Sequence, residues 1–251
     1  MSGRALLPLV FCVLFPQAST AGEPLKYVFT HYPPANYQTE TGEYKGFFVD
    51  IVMEALAERM AIPVAISIFP WKRCQKLLEE GDADMITTIP TPERSVYTVT
   101  HAKPIWIKKW RVHTYVGHPH INEFHKVVKI DDLRDRPYTV ISYIGNGWSK
   151  SMIEDVGISV FNATTVEGMY RMLAAKRGDM IIEDDILVAP ALRQLGLTHQ
   201  IVATDGIVAE SNFHMLIGKK SRFSGIIPEL NHVIEEMWKD GTMARIFARY
   251  Q

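Results

Sequence analysis

The feature that most limits this chain is its punctuation. Glycine and proline cut the sequence into short apolar runs, and the period of those runs alternates between two and about 3.6 residues. Leu25 to Thr30 reads as a strand. Gly46 to Met60 reads as a helix, with Phe47, Ile51, Ala55 and Met60 on one face. Pro63 to Ile68 is a β-branched strand, and Trp71 to Glu80 a helix stopped by Gly81. Asp84 to Ile89 is a buried strand broken by Pro90 and Pro92, and Arg111 to Val116 a strand ended by Gly117. A second unit follows. A short helical turn spans Asp131 to Leu133, and a strand from Tyr138 to Ser142 runs into Gly145-Asn146-Gly147. Thr164 with Glu167 has the spacing of a capping box before a helix to Arg177. A strand at Met180 to Ile182, a helix from Ile186 to Leu195 and a strand from Gln200 to Ala203 complete this unit. The last unit has a strand, Phe213 to Gly218, and helices over Ser224 to Lys239 and Thr242 to Tyr250. Such alternation predicts an α/β protein whose lobes are built on mostly parallel sheets flanked by helices.

The first residues read as an address. Arg4 precedes the apolar run Ala5 to Phe15, which has signal-peptide length and is short of the ~20 residues that span a bilayer. Ser19 and Ala21 are small residues at the positions before a cleavage site, so residues 1–21 are expected to be a leader cut near Ala21. Two cysteines are present, and Cys12 leaves with that leader, so the remaining Cys74 has no partner for an internal disulfide. Stability must then come from core burial, and a 47% hydrophobic chain of this length can supply it. A net charge of −1 gives no sign of nucleic-acid binding.

Cofactor motifs are missing. No dinucleotide fingerprint, P-loop or metal-ligand spacing occurs, so no cofactor and no metal are expected. Of nine histidines, His118 and His120 flank Pro119 without further ligands nearby. Cys74 lies in the middle of a helix and reads as core.

Several short motifs, taken in order, resemble one family. Tyr32-Pro33-Pro34, then Gly46-Phe47-Phe48-Val49-Asp50-Ile51, resemble the opening of the family-3 extracellular solute-binding proteins. The likeness continues through Gly81-Asp82-Ala83-Asp84, Thr91-Pro92-Glu93-Arg94, Gly178-Asp179-Met180-Ile181-Ile182-Glu183-Asp184 and Asp240-Gly241-Thr242. It implies a type II periplasmic-binding-protein fold. The first lobe would take residues 24–112 plus 212–251 and the second 113–211. Hinge strands would lie near Val112 to Tyr115 and Asn212 to Met215. The resemblance also implies a monomeric periplasmic receptor for a small ligand bearing a carboxylate. Its partner would be the membrane permease of an ABC transporter.

Site residues follow by the same correspondence. Arg94 matches the arginine that grips the ligand carboxylate, for which a planar guanidinium offers paired donors. Asp184 matches the acid that receives an α-ammonium group; Glu183 and Asp185 are its rivals, and Asp184 or Asp185 also suits the cap of the following helix. Asn146 and Gly147 stand where the family has a Gly-Thr step that binds anions at a helix start, a place where an ordinary turn also favours Gly and Asn. Tyr32, Trp71 and Trp148 are expected as aromatic walls, with Tyr37 and Tyr143 behind them; each type also serves in cores. Ile89 replaces the family's hydroxyl residue, and Asn146 its threonine, which puts a standard α-amino acid in doubt. Thr87 or Thr88 would supply the missing acceptor. Two other roles fit the same fold: a cyclohexadienyl dehydratase-like enzyme with Glu183 as its acid, and a sensory module for a membrane receptor.

Overall fold

The computed structural model describes residues 23–250; the expected leader lies outside them. The first lobe opens with β1 (Leu25–Phe29), the hairpin β2 (Tyr37–Gln38) and β3 (Tyr44–Lys45), and α1 (Phe47–Val52), which continues as a π-helical stretch, Met53–Arg59. Then come β4 (Val64–Ile68), α2 (Trp71–Glu80), β5 (Met85–Thr88), α3 (Pro92–Tyr97) and β6 (Thr98–Thr100). The long strand β7 (Trp106–Tyr115) leads into the second lobe. That lobe holds α4 (Ile121–Phe124), β8 (Val140–Tyr143), α5 (Gly147–Ser149), β9 (Val160–Ala163), α6 (Val166–Ala174), β10 (Ile181–Glu183) and α7 (Asp185–Leu195). An 18-residue strand, β11 (Ile201–Gly218), returns to the first lobe, where α8 (Ile227–Lys239) and α9 (Thr242–Ala248) close the fold.

Seven strands share one sheet in the order β10-β7-β11-β5-β1-β4, with β6 pairing β11. Parallel pairing joins β1 to β4 and β5, and β8 to β9. Within the seven-stranded sheet, antiparallel pairing comes from the two strands that connect the lobes, β7 and β11, which pair with each other from Trp106–Phe213 to Tyr115–Ile201. The cores show where the chain changes lobes. Trp106 belongs to the cluster built on β1 and α1, whereas Trp110 belongs to the cluster of the second lobe. On the way back Val208 belongs to the second cluster and Phe213 packs on the first.

Helix ends follow the expected chemistry. Gly81 and Gly196 end α2 and α7 in the left-handed conformation. The cap of α6 is Thr165, one residue later than the spacing suggested: its hydroxyl accepts from Gly168 N at 2.9 Å, while Glu167 turns outward to Arg171. The strand expected from Arg111 begins at Trp106. The two strands expected around residues 200–203 and 213–218 are one, interrupted by bulges after Ala203 and Ile207. Thr204 Oγ1 donates to Val112 O there, and a Cβ on Gly206 would lie 2.4 Å from Phe124 O. Gly46 holds the turn that presents Tyr32. Its φ is +127°, and a Cβ would meet Ala35 O at 2.1 Å, so only glycine lets α1 start against that turn.

A buried histidine makes the fold sensitive to acid. His101 is 1% exposed, donates from Nδ1 to Lys103 O at 2.7 Å, and accepts at Nε2 from Met215 N at 3.0 Å. Burial first, and the nearby His214 ring second, push its pKa down from 6.5 to about 4. Between those values the unfolded chain holds a proton that the folded chain does not. Stability therefore falls as pH drops through that window, by about 3 kcal/mol in all. Urea unfolding from neutral pH to about pH 4 is expected to show this loss, and His101→Gln to remove that part of the slope. An identical slope in the variant would rule His101 out as the cause.

Candidate functional site

The strands of a parallel sheet carry ligands at their carboxyl ends. Here the ends of β1 and β5 present Tyr32 and Arg94 from the first lobe. The ends of β8 and β10 present Tyr143 and Glu183 from the second. A cavity of about 590 Å³ lies between the lobes at this edge, with His31 to Pro34 and Tyr37 on one side and Tyr143, Tyr170, Glu183 and α7 from Leu187 to Leu195 on the other. Ile186 and Leu187 of α7 belong to the first lobe's core cluster, so this helix bridges the two sides.

At its inner end stands a buried ion pair. Lys108 Nζ lies 2.6 Å from Glu183 Oε1, and both side chains are almost wholly buried. The same ammonium donates to the Tyr32 hydroxyl at 3.1 Å and sits 3.7 Å above the Trp110 ring. Trp148 stacks on Trp110 with centroids 3.6 Å apart and planes 2° from parallel. A ring has two faces, so the cation and Trp148 take one each. The result is a column that runs from lobe to lobe: Trp148, Trp110, Lys108, then Glu183 and Tyr32. Three tyrosine hydroxyls surround it. Burial first, and the charge of Glu183 second, raise the pKa values of Tyr32, Tyr143 and Tyr170, so all three stay protonated donors.

The acids after β10 are each engaged. Asp184 caps α7, accepting from Ile186 N at 3.0 Å, and its other oxygen accepts from Lys109 N at 2.5 Å. Burial raises its pKa, and those two N–H groups oppose the rise. Asp185 lies 2.8 Å from Arg111 and 2.9 Å from His113. Burial alone would raise its pKa, but the His113 and Arg111 contacts together leave it below the usual carboxylate value.

Arg94 stands apart from these acids. It is half-buried in the first turn of α3, after the Thr91 cap. Its Nη1 donates to Ile89 O at 2.8 Å and its Nε to Gln75 Oε1 at 3.1 Å, while the guanidinium lies 5.4 Å over Trp71. Among the described residues it makes no ion pair, and burial lowers its pKa.

The expected site residues thus divide. Tyr32, with Tyr37 and Tyr143, lines the cavity beside Glu183. Arg94 and Trp71 form a second cluster at the end of β5 and do not line it. Trp71 also packs on the core around Cys74. Thr87 is turned to the interior, with its hydroxyl 2.8 Å from Tyr27 Oη and 3.5 Å from Asn36 Nδ2. Asn146 caps α5 through Ser149 N at 3.1 Å, and Gly147 begins that short helix. Trp148 serves the tryptophan stack. Lys108 was not among the expected residues, yet the sequence holds a sign of it. Trp106, Lys108 and Trp110 alternate on one buried face of β7, and a lysine between two buried tryptophans needs an anionic partner.

The fold and this interlobe site define a type II periplasmic binding protein architecture, two α/β lobes joined by two hinge strands. Residues 27–132 match the model of the bacterial extracellular solute-binding proteins, family 3, which bears out the family resemblance of the sequence. No curated protein matches the chain. Among solved structures, an ancestral cationic amino acid solute-binding protein is similar at a TM-score of 0.69 and 18% identity, covering 90% of this chain and 95% of that one. The L-cystine solute receptor of Neisseria gonorrhoeae, in its unliganded open conformation, is similar at 0.68 and 15%, covering 90% and 92%. A histidine kinase sensor domain is similar at 0.67 and 17%, covering 92% and 96%. At such identities the likeness establishes the fold.

The tryptophan stack should be visible in solution. Trp148→Ala is expected to lower the unfolding free energy by about 1–3 kcal/mol and to remove the exciton couplet of two stacked indoles from the circular dichroism spectrum. Unchanged stability with the couplet retained would contradict this packing.

Proposed function

We propose that this protein is a periplasmic solute-binding protein of an ABC-type uptake system. It captures an amino acid or related small carboxylate between its two lobes, which β7 divides between Trp106 and Trp110 rather than at residue 112, and works as a monomer once the leader is cut near Ala21. It delivers the ligand to a membrane permease. Closure follows from differential contact: the ligand favours the closed form only by what it gains there. The observation that carries the reading is Arg94, a half-buried guanidinium at the carboxyl end of β5 with no carboxylate partner among the described residues. It already donates to Ile89 O and Gln75 Oε1, and a planar carboxylate is the natural complement of its remaining N–H groups.

The test uses the mature chain from Gly22, unfolded and refolded to strip carried ligand, and a thermal-shift screen of amino acids and small carboxylates. A bound ligand at a hundred times its Kd stabilises by ~2.7 kcal/mol, or roughly 5–10 °C for a chain of this size. Arg94→Ala is expected to weaken that binding by roughly 10–100-fold, the worth of a charge-assisted hydrogen-bond pair. Binding unaffected by the substitution would remove Arg94 from the site.

A second reading rests on Glu183, which lines the cavity in contact with a proton-bearing partner, Lys108. In a cyclohexadienyl dehydratase-like enzyme it would be the group that moves a proton. Incubation with prephenate or arogenate separates the readings: aromatic product that vanishes in Glu183→Gln replaces binding by catalysis, and no product retains binding.

A further inference from the structure

We propose that the ligand is a carboxylate with an apolar or aromatic body and no ammonium group, because Lys108 fills the place on Glu183 that a ligand ammonium would take. The inference deepens the solute-binding reading above and rests on it.

The charges around the cleft are asymmetric. A zwitterionic amino acid needs an anion for its ammonium and a cation for its carboxylate. The acids at the carboxyl end of β10 are already committed to the protein's own donors. Glu183 Oε1 takes Lys108 Nζ at 2.6 Å and Asp184 N at 2.9 Å. Asp184 is closed by two backbone N–H groups, and Asp185 by Arg111 and His113. Glu167, which also reaches the cavity, is held by Arg171 at 2.8 Å. The first lobe adds no acceptor at Ile89, whose side chain is apolar and whose carbonyl is taken by Arg94. An arriving ammonium would meet Lys108 at close range, with the charge of Glu183 already neutralised. Desolvating a second cation there has no compensating pair.

The cation side is open. Arg94 lies outside the cavity lining, at the end of β5, and has no counter-ion among the described residues, so it is the cation left for a ligand carboxylate. The walls fix the body: Tyr32, Tyr37, Tyr143 and Tyr170, with Leu187 and Pro190, offer rings, methyl groups and hydroxyl tips. Glu183 Oε2, engaged by no donor among the described residues, is left for a neutral donor such as a ligand hydroxyl.

The experiment compares matched pairs that differ only in the amino group, by calorimetry on the refolded mature chain: phenylalanine with phenylpropanoate, tyrosine with hydroxyphenylpropanoate, leucine with isocaproate. In the wild type the deamino member of a pair is expected to bind at least ~10-fold tighter. Lys108→Met uncovers Glu183 and is expected to reverse the preference, with the amino acid's ammonium taking the vacated place. Tighter binding of the amino acids by the wild type overturns this inference and leaves the solute-binding reading intact. No binding of any small carboxylate of either series removes the solute-binding reading and this inference with it. If Lys108→Met does not fold, the wild-type comparison decides alone.

Discussion

The ion pair between Lys108 and Glu183 is the interaction on which the interlobe region depends. Two opposite charges lie 2.6 Å apart with almost no solvent around either. Taking them out of water costs several kcal/mol per ion, and their attraction repays this only with good geometry and further hydrogen bonds. Both conditions are met. Glu183 also accepts from a backbone N–H, and Lys108 has the Tyr32 hydroxyl and the Trp110 face. Removing either member would leave a buried charge without compensation. The pair therefore fixes Tyr32 of the first lobe and β10 of the second in relation to the strand between them.

That strand explains the position. β7 changes cores between Trp106 and Trp110, and Lys108 is the residue midway, facing inward where the two hydrophobic clusters separate. The long antiparallel partner β11 gives β7 a ladder across both lobes, interrupted at the bulges after Ala203 and Ile207. A hinge built from two paired strands can flex without breaking the packing of either lobe. The column from Trp148 to Tyr32 crosses the same gap in the other direction, so hinge and cleft share their residues.

Much of the fold was legible. Period and glycine placement located α2 to the residue and placed β1, β4 and β5 within one or two positions, because those signals are local. The unity of β11 was hidden, since two separate short strands were expected and only pairing with β7 joins them across the bulges after Ala203 and Ile207. The cap of α6 slipped by one residue because Thr164 and Thr165 are equivalent to a local pattern; the direction of the incoming strand decides between them. At the site, family order pointed to Tyr32 and to the acidic run 183–185. It could not say which acid faces the cavity, because that depends on which carboxylate α7 uses as its cap. Lys108 was legible in principle from its alternation with Trp106 and Trp110. Its partner, 75 residues further on, is a tertiary fact.

The most direct measurement is a double-mutant cycle on stability, joining Lys108→Met and Glu183→Leu. If the two side chains compensate each other in a dry interior, each single substitution lowers the unfolding free energy by about 3–5 kcal/mol. The double variant, with neither charge left buried, then loses less than the sum by about 2 kcal/mol or more. Additive losses would mean that each charge is stabilised independently, and the central role given to this pair would be wrong.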